Sequence, residues 1–196
     1  RIGPKDHKLM MNLAKGGPVH AKYRRMITVY LDITAPLYWW KEFDTYKVGT
    51  VANSCSTMHK IHDKEFTLDD FSYDHLLFDE DFDNAGYVVE TTINALNYWR
   101  DLYLVIDKDI KTIHFNELET RRKLVERRKE VWWQMIQLLP SSYNQKRTIM
   151  LNYEVLHNMY MWRKNHKLDE WRVFCKWIES LPYSEIITDN TKTEEE

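Results

Sequence analysis

The spacing of apolar positions gives a polar start and a short helix near Leu9–Leu13, which Gly16-Gly17-Pro18 ends. Residues 26–34 then alternate. Ile27, Val29, Leu31 and Ile33 share one face and Thr28, Tyr30 and Asp32 the other, the period of a half-buried strand. Pro36 stops that pattern, and the aromatic segment from Leu37 to Lys47 suits a helix lying against a sheet. Helical spacing at Val89, Ile93, Leu96 and Tyr103 predicts a long helix over about residues 87–106. A second helix is expected from Asn116, where Asn116 and Glu119 have the spacing of a capping box. Its apolar stripe is read from Leu118, Val125, Trp132 and Leu139, which recur every seven residues. A third helix is expected over about 147–164, with Leu151, Val155, Leu156, Met159 and Tyr160 inward. A fourth, over about 168–181, carries Trp171, Phe174, Cys175 and Ile178 on one stripe and ends at Pro182.

Together these elements predict an α+β fold, one small sheet packed against several long helices, as a single domain over 1–187. Within it, 62–86 reads as an acidic loop with short helical pieces. The segment 114–133 reads as a charged helix whose basic runs face solvent in i,i+4 pairs with glutamates. Residues 188–196 read as a disordered acidic tail.

Composition narrows the class. A net charge of −2 leaves no global electrostatic footprint for nucleic acid. Cys55 and Cys175 form neither a CxxC nor a Cys/His cluster, which fits a reduced, cytoplasmic protein without a zinc site. The acidic loop has no regular oxygen-ligand spacing, so no metal is expected. No apolar run has the length to cross a bilayer and no signal peptide pattern is present. The chain opens on Arg rather than Met, so residues ahead of it are expected. The pairs Trp39-Trp40 and Trp132-Trp133 are more apolar surface than a small monomer readily buries, which points to a homo-oligomer.

Glycine-rich nucleotide fingerprints, P-loops, HExxH and GxSxG are all absent. Ser56 with His59 or His62 lacks the third group that would orient a nucleophile. What stands out is the block Leu139-Pro140 to Tyr143, Asn152 to Leu156 and Met161-Trp162-Arg163. It resembles the flavin-dependent thymidylate synthases, which carry a leucine-proline turn, a helix opening near an asparagine and a later arginine, with Asp169-Glu170 following. A second patch, Ile33 to Tyr38 followed by Asn53-Ser54-Cys55-Ser56, resembles the approach to that family's "RHRxxSxNExS" motif with one residue inserted. His20 stands where the family has the histidine of a "GHxS" turn.

The resemblance implies the family's fold and a dUMP-to-dTMP reductive methylation using FAD, with NADPH and methylenetetrahydrofolate as co-substrates. It also implies a tetramer of like chains binding a pyrimidine nucleotide. Carried over residue by residue, His20, Lys47, Asn53, Asn152 and Arg163 fall to the cofactor, Ser56 and Arg147 to the substrate, and Ser56 and Glu154 to catalysis. The departures concern charge. Thr45-Tyr46-Lys47 replace the arginine-histidine-arginine triad, Arg25-Met26 a glutamate-histidine pair, and Asn53-Ser54 the asparagine-glutamate step. Ile136 stands for a phosphate-binding arginine, and Glu154 for the arginine that contacts the base. Such an inversion of sign in a partly buried site costs several kcal/mol, in order of magnitude, unless other cations compensate. Lys22, Arg24 and Arg25 before the strand, and Lys146-Arg147, are the candidates. The same changes also fit two other outcomes: a catalytically inactive binding module, or an enzyme for a different pyrimidine nucleotide.

Overall fold

A computed structural model describes residues 2–54, 57–78, 85–114 and 116–188, and for Thr57 and Met58 the backbone only. Helices α1 (Pro4–Lys15), α2 (Leu37–Phe43), α3 (Thr57–Lys60), α4 (Ala85–Thr112), α5 (Leu118–Leu138), α6 (Tyr153–Arg163), α7 (Asp169–Glu179) and α8 (Glu185–Thr188) accompany strands β1 (Thr28–Pro36), β2 (Val51–Ser54) and β3 (Asn144–Asn152). The fold is helix-rich with one small antiparallel sheet of order β1-β3-β2, the α+β class expected from the sequence. The chain divides into two compact units, one of residues 1–35, 39–53 and 146–196, the other of 36–38 and 54–145. No helix among the described residues is long and apolar enough to cross a membrane.

The first unit holds nearly all of the sheet. Along β1 the expected alternation is present: Val29, Leu31 and Ile33 are half-buried while Thr28, Tyr30 and Asp32 are exposed. The Tyr153 N–H donates to the Ile27 carbonyl, and Asp32 meets Lys146 and Thr148, which fixes the antiparallel register of β1 on β3. Here the structure departs from the expected helix over 147–164. Residues through Asn152 are strand, with Ile149 and Leu151 buried two apart, and only from Tyr153 does the chain turn helical. Leu151, Val155, Leu156, Met159 and Tyr160 are all buried as expected, but Leu151 reaches the core from a strand.

The core of this unit is aromatic. Trp39 and Phe43 of α2 pack on Trp171 and Phe174 of α7, with ring centroids 4.8 Å apart for Trp39 and Trp171, and Trp40 packs edge-on against Trp39 and Phe43. The α7 stripe of Trp171, Phe174, Cys175 and Ile178 is buried as its spacing predicts. Trp39 and Trp40 are therefore core residues, at 1% and 0% exposure, and supply no surface for self-association. Helix α1 runs longer than expected, opening with Pro4 in its first turn. Thr188, where the tail was expected to begin, is the buried last residue of α8; the residues beyond it lie outside those described.

The second unit is built on the antiparallel pair α4 and α5. Leu96 and Met135 are fully buried with Phe66 and Phe71, while Ile106, Ile110 and Val131 continue the seam. Asn97 clamps the preceding loop, accepting from the Phe66 N–H at 2.8 Å and donating to its carbonyl at 2.9 Å. Only the second half of the stripe expected on α5 is used, with Trp132 and Leu139 packed against the core. Leu118 is 72% and Val125 41% exposed, and the buried positions are Val131 and Met135. The expected capping box is also absent: Glu117 is the N-cap, with no side-chain cap bond, and α5 starts at Leu118. Of the 62–86 segment, the described part up to Phe78 is irregular apart from a 3-10 turn at Leu68–Asp70, Asp79 to Asn84 lie outside the described residues, and Ala85 and Gly86 already belong to α4.

The burial difference gives a direct test of this packing. Met135→Ala should cost about 2–5 kcal/mol in urea denaturation, whereas Leu118→Ala should stay within about 0.5 kcal/mol. Equal losses would restore the seven-residue stripe.

Candidate functional site

Two polar constellations lie within the first unit. The first is a cleft of ≈ 540 Å³ lined by Met11, Ala14, Lys15, Gly17, Pro18, Arg24, Glu154, His157 and Asn158. Its walls follow from helical spacing: Met11, Ala14 and Lys15 share one face of α1, and Glu154, His157 and Asn158 one face of α6. Gly17, at φ 87, turns the chain away from α1 into the 3-10 helix Ala21–Met26 that carries Arg24. Arg24 is only 2% exposed and places its guanidinium nitrogen 3.9 Å from Glu154 Oε2. That separation is too long for a hydrogen bond, and Glu154 Oε2 is buried without a hydrogen-bond partner. The His157 ring is held by its Nδ1 contact of 2.6 Å with the Ile187 carbonyl.

The second constellation centres on Glu42 of α2. Its Oε2 accepts from Arg163 at 2.9 Å and from the Trp171 indole at 2.8 Å, with His166 Nε2 at 3.5 Å. Arg163 also donates from Nε to the Tyr46 hydroxyl at 3.0 Å and lies 4.9 Å from the Trp171 ring centroid. Arg147 repeats the arrangement nearby in sequence terms: it donates to Asp44 at 2.8 Å and stacks 4.4 Å from the Trp40 centroid. In each case an arginine is held by an aromatic face and a carboxylate.

The site residues expected from the sequence therefore separate. Glu154 lines the cleft. Arg163 and Arg147 are engaged by Glu42 and Asp44 within the chain. Asn152 is the N-cap of α6, its Oδ1 accepting from the Val155 N–H at 3.1 Å. Gly49, at φ 78, passes so close that a Cβ there would lie 3.0 Å from Asn152 Nδ2. His20, Lys47 and Asn53 are exposed, and their side chains make no hydrogen bond or ion pair among the described residues. Ser56 lies outside the described residues. Sequence reasoning named Arg24 among compensating cations, and it is the one that meets Glu154. It missed Lys15, His157 and Asn158, of which the last two are legible once α6 is known to start at Tyr153. Among the described residues no group of His, Cys, Asp or Glu could hold a metal ion.

An FAD bears a pyrophosphate and many hydrogen-bonding edges, so its site needs donors not already spent. Lys47, Asn53 and His20 fit that requirement, while Arg163 donates to Glu42 and Tyr46 and Asn152 has only its Oδ1 engaged, as an acceptor.

No protein-family model matches the sequence, and no curated protein sequence matches it either. The fold does have solved counterparts. Two crystal structures of the flavin-dependent thymidylate synthase of Helicobacter pylori, both with FAD and dUMP, superpose with a TM-score of 0.57. They are 16% identical, and the match covers 95% of this chain and 82% of theirs. The chain thus has a flavin-dependent thymidylate synthase-like fold, a relationship at the level of fold alone.

Two expectations follow from the local chemistry. Glu42→Gln keeps the shape but removes the charge on which Arg163 rests, and should cost about 1–3 kcal/mol in chemical denaturation. The second concerns alkali. Burial pushes the Cys175 thiol from 9.0 up to about 11. Burial, then the bond to Glu179, pushes the Tyr160 hydroxyl from 10.0 to about 12. The folded chain holds both protons more tightly than the unfolded one, so this stability is fully present below pH 9.0. It declines as pH rises through about 11 for Cys175 and about 12 for Tyr160. In Cys175→Ala the alkaline fall in melting temperature should begin near pH 10.0 instead of 9.0.

Proposed function

We propose that this chain is a thymidylate synthase-like flavoprotein that binds a pyrimidine nucleotide, its activity the reductive methylation of dUMP to dTMP. The observation that supports this reading is the shared fold along 95% of the chain with a synthase crystallised with FAD and dUMP. The cleft between α1 and α6 receives the nucleotide, with Lys15 and Arg24 as its cations. His20, Lys47 and Asn53 hold FAD, whose bound isoalloxazine would supply the hydride chemistry, and NADPH and methylenetetrahydrofolate serve as co-substrates. Ser56, carried over from the same resemblance, is assigned to the nucleotide, and the working protein is a cytoplasmic homotetramer.

A second reading, a catalytically silent homo-oligomeric binding module, draws on one specific feature. The two arginines carried over from the family, Arg147 and Arg163, are neutralised by Asp44 and Glu42, and Glu154 stands where a third would be.

Purified full-length protein should show a flavin absorbance band near one FAD per chain, and should form dTMP from dUMP with methylenetetrahydrofolate and NADPH. Colourless protein with no thermal shift on adding FAD rules the flavoprotein reading out. Yellow protein without turnover selects the silent module.

A further inference from the structure

We infer that the outward face of α4 docks on the same face of a second copy of this chain, antiparallel, about a two-fold axis that passes between Ala95 and Tyr98. The inference rests on the proposed self-association and names its contact. It needs neither flavin nor nucleotide.

Helix α4 carries two stripes. One, with Leu96, Ile106 and Ile110, is buried within the second unit. The other is Val88, Thr91, Ala95, Tyr98, Leu102 and Val105, spaced three and four residues apart in turn and without a charge. That is the a/d spacing of a coiled-coil seam, and at the helical rise it runs for about 26 Å. Val88, Tyr98 and Val105 are 60%, 63% and 57% exposed, so the chain itself leaves the seam largely uncovered. An uncharged stripe of this length on an outer helix face marks a contact surface.

The stripe is complementary to itself. Two antiparallel copies in one register bring Val88 to the second copy's Val105, Thr91 to its Leu102 and Ala95 to its Tyr98. The two-fold repeats each contact, so both tyrosine rings fall over alanines. A parallel pair would set Tyr98 on Tyr98 and Ala95 on Ala95, one layer crowded and the next hollow. Along the flank of the antiparallel seam, the Asn94 amide reaches the level of the second copy's Asp101 carboxylate, a donor to an acceptor. Lys108 arrives beside Tyr87, and no like charges meet. Size and charge therefore select a second copy over an unrelated helix as the occupant. The seam offers fewer residues than the roughly 20–30 a side of a standard interface, so association in the micromolar range is expected.

The test is sedimentation equilibrium of the purified full chain over roughly 1–100 µM. Val88→Glu, Val105→Lys and the double variant are compared, with Leu118→Glu on α5 as an exposed apolar control. Each single change sets an unpaired charge against valine twice per contact and should loosen association about tenfold or more. In the double variant the new carboxylate meets the new ammonium across the two-fold, and association should be at least about threefold tighter than in either single variant. Leu118→Glu should leave it unchanged. Within one chain positions 88 and 105 lie about 26 Å apart, so the recovery can only come from a second copy. A double variant weaker than both singles overturns the antiparallel contact, and so does equal loosening by Leu118→Glu. Association that ignores Val88→Glu and Val105→Lys overturns the inference and leaves self-association through another face standing. A monomer across the whole range sinks both, and leaves flavin and nucleotide binding to their own tests. If Val88→Glu loses its circular dichroism melt, Val105→Lys against Leu118→Glu decides alone.

Discussion

A single carboxylate oxygen ties the first unit together. Glu42 Oε2, on a helix of seven residues, takes the guanidinium from the last residue of α6 and the indole N–H from the first turn of α7. Tyr46 adds its hydroxyl to the same arginine, and Trp171 presents both its ring face to Arg163 and its N–H to Glu42. A partly buried carboxylate with several charge-assisted partners is held far more firmly than an exposed pair. Because α2, α6 and α7 converge on this atom, the order of the aromatic core follows: Trp39 and Phe43 meet Trp171 and Phe174 in one geometry. Arg163 therefore serves the fold. The same holds for Arg147 between Asp44 and the face of Trp40. Two cations that a phosphate-binding site would use freely have become staples of the core.

How much of this was legible depended on whether the signal was local. The alternation in β1 and the stripe on α7 are local, since each residue's side is fixed by a period within its own element, and both held. The boundary at Asn152 was not local. Ile149 and Leu151 alternate for only a few residues, and Leu151 also stands four from Val155, so one apolar pattern serves a strand end and a helix start equally. The asparagine that closes the ladder and caps α6 was the decisive clue, and an N-cap reading of Asn152 would have cut the expected helix there. On α5, a seven-residue repeat fits several faces of a charged helix. The face used is the one that Leu96, Ile106 and Ile110 of α4 happen to meet, which is a tertiary fact.

The site was less legible than the fold for the same reason. Nothing in the sequence pairs Glu42 with Arg163 across more than a hundred residues, or brings Arg24 to Glu154. Glu154 could be flagged because it broke a resemblance. Lys15, His157 and Asn158 could not, because each is an ordinary surface residue until α1 and α6 are placed side by side. Gly49 is the exception that a sequence can suggest. Its positive φ of 78 disfavours a side chain, and a Cβ there would crowd Asn152 at 3.0 Å, so the loop entering β2 is shaped by the cap of α6.

The Arg24–Glu154 pair is hard to account for as a stabilising device. At 3.9 Å the gross attraction, with an effective dielectric of about 20, is about 4 kcal/mol. Taking each charge out of water costs several kcal/mol, and the pair lacks the short hydrogen bond that usually repays it. An apolar pair of similar size would pack as well without that cost. Both residues belong to the lining of the cleft, and Glu154 Oε2 is buried there without a hydrogen bond. Arg147 and Arg163 thus hold the elements of the first unit together, while the one carboxylate oxygen buried without a hydrogen bond among the described residues is that of Glu154, in the lining of the cleft.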